Sequence, residues 1–239
     1  MSKIALVTGA SSGIGQATAE RLAKAGYKVY GTSRRAVGAG QRSFEMVTLD
    51  VTSDDSVEAA VSEVVRRDGR IDLLVNNAGF SIAPAGAEES SLEQARSIFD
   101  TNFFGILRMT RAVLPHMRRQ GSGRIINISS IFGFLPAPYM ALYAATKHAI
   151  EGYSESLDHE VRSCARARPQ SEVRLLTRSR AASMGFVGSE MRSSSISEKT
   201  LFRLSTRRIF RWMRSLQVRA RSRLPEKAAT TNSLARQCR

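Results

Sequence analysis

The stretch Lys3–Thr8 (KIALVT), running straight into Gly9-Ala10-Ser11-Ser12-Gly13-Ile14-Gly15, constrains this chain more than any other feature. A short apolar run reads as a buried strand. The pattern after the glycines reads as a helix to about Ala25, stopped by Gly26. Glycine permits a tight turn and close backbone approach, and a helix N-terminus offers unpaired N–H groups and the positive end of its dipole. A strand, a glycine turn and a helix in that order therefore make a phosphate-binding site.

The same alternation continues. Strands are expected at Lys28–Thr32, Phe44–Val51, Ile71–Val75 and Arg124–Ile128. Helices are expected after Ser53 or Asp54, with Val57, Val61, Val64 and Val65 at helical spacing. Further helices should cover about Leu92 to Arg119 and run from about Tyr139 past Leu157. Short apolar strands alternating with helices imply a parallel sheet covered on both faces. The expected fold class is α/β, a single-domain, doubly wound Rossmann-type sheet over residues 1–162. Beyond it, residues 163–239 read as irregular or disordered.

Charge divides the chain at the same place. Residues 1–161 hold 17 Lys and Arg against 17 Asp and Glu, whereas residues 162–239 hold 19 against 4. The second part therefore carries the whole net charge of +15. It has 17 Arg, two Lys and no Asp, with scattered Ser and no apolar period; Val173–Leu176 is its one strand-like piece. Three accounts compete, in this order: translation out of frame from near Arg162–Ser163, a genuine basic arm that binds nucleic acid or an anionic membrane, and a divergent substrate domain. The start has no secretory apolar core, and no run approaches the ~20 apolar residues of a membrane span. Cys164 and Cys238 lack metal-ligand spacing, so a cytoplasmic setting is expected.

Two places bear on chemistry. The end of the second strand carries Ser33-Arg34-Arg35 and no acid. An acid there would hold the ribose 2′-OH of NAD, whereas Arg suits the 2′-phosphate of NADP, so NADP is expected ahead of NAD. Tyr143 and Lys147 stand four apart on one helix and share a face. An ammonium near a phenol stabilises phenolate, so Tyr143 is a candidate acid/base. Ser130 ends the fifth strand, where ligands bind in such sheets, and its hydroxyl is a candidate partner for a reacting oxygen. Ser129 is the adjacent alternative. Phe132, Phe134 and Tyr139 fit either an apolar substrate pocket or packing, and Phe99, Phe103 and Phe104 fit core or an oligomer surface. His116, His148 and His159 have no companion ligand and read as surface or packing residues.

Taken together, TGASSGIG (8–15), LDV (49–51), NNAG (76–79), Asn102 in DTNFFG, ISS (128–130) and YAATK (143–147) resemble the short-chain dehydrogenase/reductase family. The resemblance covers about residues 1–162 and implies a Rossmann fold, usually as a homo-oligomer. It implies an NADP-dependent oxidoreductase that interconverts a secondary alcohol and a carbonyl on a small-molecule substrate, which the aromatic group Phe132, Phe134 and Tyr139 suggests is lipophilic. Ser130, Tyr143 and Lys147 match the catalytic triad, and Asn102 matches the asparagine of a proton relay. Gly9, Ser11, Ser12, Gly13, Ile14 and Gly15 match the phosphate turn, and Arg34 the NADP-selecting position. Asp50 and Val51 match adenine contacts, and Asn77, Ala78 and Gly79 the adenosine side, with Asn76 bracing the central strands. No metal is implied. After the catalytic helix the chain departs from the family pattern, lacking its Pro-Gly turn. The rival reading is a non-enzymatic dinucleotide-binding protein acting through the basic arm.

Overall fold

The structure, a computed structural model, describes residues 2–35, 42–167 and 172–177, with side chains described through residue 161. Six parallel strands form one sheet: β1 (Ile4–Val7), β2 (Lys28–Ser33), β3 (Glu45–Thr48), β4 (Leu73–Asn76), β5 (Ser122–Asn127) and β6 (Glu172–Thr177). Their order across the sheet is β3-β2-β1-β4-β5-β6. The chain thus works outward from β1 in one direction, then returns to β1's other side and works outward again. That reversal leaves a crevice at the carboxyl ends of β1 and β4, where ligands bind in open α/β sheets.

The period of two along each strand sends side chains to both faces. Leu6, Tyr30, Leu74 and Ile125 pack on one face with Val57, Val61, Met109, Val113, Leu157 and Val161. Those partners come from α2 (Asp54–Asp68), α4 (Gly105–Gln120) and α5 (Ala141–Ala167). Ala5, Val7, Val29, Leu73 and Val75 pack on the other face with Ala19 and Leu22 of α1 (Gly13–Lys24) and with Phe44. Two covered faces explain why the strands read as continuous apolar runs rather than as alternating ones.

Ser53 caps α2, its Oγ accepting from Ser56 N at 3.2 Å, and Gly69 closes that helix at φ 73°. Charge blunts the β3 edge: Tyr30 Oη donates to Asp68 at 2.6 Å, Lys28 Nζ to Asp68 at 2.9 Å, and Arg67 to Glu45 at 3.0 Å.

Two elements differ from the sequence expectation. The long helix is divided: α3 (Leu92–Phe99) leads into a π-helical turn, Asp100–Phe104, before α4 resumes. At the end of the main domain, α5 continues to Ala167, and β6 pairs with β5 from Ser122↔Glu172 to Asn127↔Thr177. The sheet therefore takes a strand from beyond Arg162, built around the one apolar scrap of the basic stretch. The expectations for residues 178–239 lie outside the described residues. No helix among the described residues is long and apolar enough to cross a membrane.

Candidate active site

A cleft of about 1090 Å3 opens at the sheet's reversal point. Of the residues singled out from sequence, Gly9, Ser11, Ser12, Ile14, Gly15, Arg34, Asp50, Val51, Asn77, Ala78, Gly79, Tyr143 and Lys147 line it. Gly13, Asn102 and Ser130 are not among its lining residues.

The glycine turn is fastened from β4. Thr8 Oγ1 accepts from the N–H groups of both Asn77 and Ala78 at 2.9 Å. Asn77 Nδ2 returns bonds to Thr8 O at 2.9 Å and Gly9 O at 3.1 Å. Gly9 adopts φ 65°, in the left-handed region that favours glycine. Any Cβ on Gly15 would collide with Gly9 O and Asn77 Nδ2. The packing of two backbones thus depends on hydrogen at that carbon.

Ser12 precedes α1 without a side-chain cap, and the first turn holds no acid. The leading N–H groups of α1 thus remain free for an anion. Arg34 and Arg35 line the neighbouring wall, with no carboxylate at the end of β2. Asp50 is already engaged: its Oδ1 accepts from Thr52 N at 2.9 Å and Thr52 Oγ1 at 2.8 Å. Those bonds, aided by Arg34 and Arg108, hold its carboxyl below the usual carboxylate range. Uncovered N–H groups, guanidinium side chains and a backbone cradle fit a phosphorylated dinucleotide.

The opposite end of the cleft belongs to α5. Lys147 is buried, and its Nζ donates to Ile128 O at 3.0 Å. It stands 5.6 Å from the centre of the Tyr143 ring. Burial pulls its pKa down to about 8, and the Glu151 carboxylate one turn further along opposes that shift. Phe132 meets the Tyr143 ring edge-on at 6.1 Å. Ser130 begins the short 3₁₀ turn Ile131–Gly133, its Oγ accepting from Phe132 N at 3.3 Å. Its neighbour Ser129 lines the cleft, and Ser129 Oγ is buried with no hydrogen-bond partner.

Asn102 sits in the π-helical turn, buried at 1% exposure. Its Oδ1 accepts from Phe80 N, and its Nδ2 donates to Phe80 O, both at 2.9 Å. Nδ2 also reaches Thr146 Oγ1 at 3.3 Å, next to Lys147. The extra residue of the π turn aims this amide at the loop after β4 and at α5 together. Asn76 has the bracing place expected of it, its Nδ2 donating to Asn127 Oδ1 at 2.9 Å.

The family model for "short chain dehydrogenase" matches residues 3–165. The chain belongs to the short-chain dehydrogenase family. One relative in that family is the 3-ketodihydrosphingosine reductase of Bacteroides thetaiotaomicron, 48% identical over 160 residues. The match takes in 66% of this chain and spans 58% of that reductase's length. Among solved structures, a short-chain dehydrogenase from Streptomyces avermitilis aligns at TM-score 0.67 and 40% identity, covering 74% of this chain and 64% of its own. ElxO with NADP bound aligns at 0.64 and 33%, over 67% and 68%. A 3-ketoacyl-(acyl-carrier-protein) reductase from Brucella melitensis, complexed with NADH, aligns at 0.67 and 33%, over 73% and 74%. Short-chain dehydrogenase neighbours thus hold both nicotinamide cofactors.

Three residues escaped the sequence reading of this short-chain dehydrogenase. Thr8 opened the glycine motif without a role of its own, although NNAG later in the chain was a signal that something must receive it. Thr146, fully buried between Asn102 and Tyr143 O, has no spacing signal. Arg42 reaches back to the glycine turn from the loop before β3, and only folding brings it there. None of the three histidines lines the cleft.

Proposed function

We propose that this chain is an NADP-dependent oxidoreductase that interconverts a secondary alcohol and a carbonyl, with Tyr143 as the acid/base. The observation that carries this reading is the Tyr143–Lys147 pair on one face of α5 at the cleft wall, the ammonium fixed by Ile128 O. A nicotinamide dinucleotide in the cleft supplies the hydride to the carbonyl carbon, or accepts it from the alcohol.

Tyr143 gives its phenolic proton to the substrate oxygen during reduction and recovers it during oxidation. Lys147, its Nζ 5.6 Å from the centre of the Tyr143 ring, stabilises the phenolate and would hold the ribose hydroxyls. Ser130 donates from its hydroxyl to the reacting oxygen, which requires its Oγ to rotate toward the cleft. Asn102 holds the Phe80 loop and α5 in register and would hold the water that links Lys147 to solvent in a proton relay. Arg34 meets the 2′-phosphate.

Exposed aromatic side chains support a lipophilic substrate: Phe134 is 39% exposed and Tyr139 68%. Both stand on the segment linking Ser130 to α5, and the relative from Bacteroides thetaiotaomicron is named for a sphingoid ketone. Phe104, 45% exposed beside Phe103, supports a homo-oligomer through the π-helical turn that precedes α4. The binding-protein reading rests on the basic stretch, whereas family membership and the Tyr143–Lys147 pair favour an enzyme.

The test is a panel of ketones and secondary alcohols of increasing chain length, read by NADPH absorbance. Turnover that disappears in Tyr143→Phe, with cofactor binding retained, supports the reading. Tight cofactor binding without turnover on any substrate refutes it.

A further inference from the structure

Arg42 belongs to no motif, yet it touches the glycine turn more directly than Arg34 does. Its guanidinium donates to Ala10 O at 3.4 Å and to Ser11 O at 3.3 Å. The group also lies 5.8 Å from the centre of the Phe44 ring, and Phe44 is buried against the sheet. Arg42 is thus held on one side by an aromatic face and on the other by two consecutive carbonyls.

A trans peptide is planar, with the C=O of one residue pointing opposite to the N–H of the next. Fixing Ala10 O therefore orients the N–H of Ser11, and fixing Ser11 O orients the N–H of Ser12. Ser11 and Ser12 both line the cleft, and planarity points their N–H groups opposite to the carbonyls that Arg42 holds. The turn is also pinned to β2 at this point, since Ala10 N donates to Thr32 O at 2.8 Å. Two residues beyond Thr32 stands Arg34, on the same wall of the cleft. The bond from Ala10 to Thr32 thus ties the serine turn to the end of β2, two residues from Arg34.

We propose that Arg42 is a positioning residue for the 2′-phosphate corner: by holding the Ala10 and Ser11 carbonyls, it aims the Ser11 and Ser12 amides at the anion that Arg34 meets. This rests on the NADP reading above and extends it to a residue outside every motif. Lys at position 42 offers its donors from a single atom and Gln carries no charge, so neither reproduces the planar guanidinium fork that holds two carbonyls from separate nitrogens.

The test is calorimetric titration of the full chain with adenosine 2′,5′-bisphosphate and with 5′-AMP. Both ligands carry the 5′-phosphate, so their affinity ratio isolates the 2′-phosphate. Wild type is expected to favour the bisphosphate. Arg42→Ala should lower that ratio about tenfold, the scale of oriented bonds to a charged group. Arg42→Lys should recover part of it. A ratio unchanged in both variants overturns the proposal, as does an equal loss of both ligands, which marks a merely structural role. Should Arg42→Ala not fold, Arg42→Lys alone decides, with a ratio equal to wild type overturning the proposal. A wild-type protein with no preference for the bisphosphate refutes the NADP reading instead.

Discussion

The Lys147 ammonium stands 5.6 Å from the centre of the Tyr143 ring while its Nζ is tied to the Ile128 carbonyl. The tie matters because a lysine free to swing would face solvent, where its field at the phenol is screened. Helix α5 fixes the spacing of the pair, and β5 fixes where the ammonium stops.

Burial of Lys147 has a consequence for pH. Its pKa falls to about 8 in the folded protein, against 10.5 for an ordinary lysine. At pH 7 the fold thus holds an ammonium at a cost, which is relieved as pH rises from about 8 toward 10.5. Replacing Lys147 with Met should raise stability at pH 7 by roughly 1–3 kcal/mol while abolishing turnover. Urea denaturation at pH 7 and pH 10 checks this: the advantage of the variant should shrink at the higher pH. Wild-type turnover should decline above about pH 8 as the ammonium is lost.

Cofactor choice should follow the end of β2. Arg34→Asp places a carboxylate where the 2′-phosphate would lie and offers the ribose hydroxyl a partner. The ratio of NADPH to NADH affinity should fall by roughly 100-fold, since one charged contact is lost and a repulsive one gained. Fluorescence titration of both cofactors measures it. A ratio within threefold of wild type would show that Arg34 does not select.

Asn102→Ala removes the partner of both the N–H and the C=O of Phe80. Stranding those part-buried groups should cost about 1–3 kcal/mol, seen as a lower urea midpoint. The Phe80 loop lines the cleft, so cofactor affinity should fall with it. Asn102→Asp preserves the acceptor for Phe80 N and should lose less stability.

Gly15→Ala probes the turn without altering its charge. The added methyl meets Gly9 O and Asn77 Nδ2, so one of the two backbones must move. Cofactor affinity should drop at least about tenfold, as overpacking displaces the N–H groups that face the phosphates. Gly26→Ala tests a different glycine: no atom lies near its added carbon, but φ 88° strains it, so stability should fall by about 1 kcal/mol with affinity unchanged.

Much of the site was legible because its parts are local. Gly9 to Gly15 form one turn, and Tyr143 and Lys147 share a helix face by spacing alone. The strands were legible because both faces of the sheet are buried, which makes Ile4–Val7 (IALV) and the LLV at 73–75 apolar throughout. The π turn at Asp100–Phe104 was not legible. Its stability comes from Asn102 bonding to Phe80, 22 residues earlier, and no neighbouring residue announces that. The left-handed φ of 64° at Tyr139 was equally hidden; there the carbonyl accepts from Ala85 N at 3.2 Å, a bond to a distant loop. The sixth strand was obscured by composition, since arginines flank the apolar core of Glu172–Thr177 and β5 supplies the pairing that makes it a strand.

Sequence alone determined the kinds of element, the glycine turn, the family and the helical spacing that puts Tyr143 and Lys147 on one face, because each depends on residues close together along the chain. Tertiary structure alone decided the strand order that opens the cleft and the stapling of Thr8 to Asn77. It also decided the burial that lowers the Lys147 pKa and the return of Arg42 to the turn. Those depend on contacts between distant residues, and a linear pattern carries no distance between them until the chain has folded.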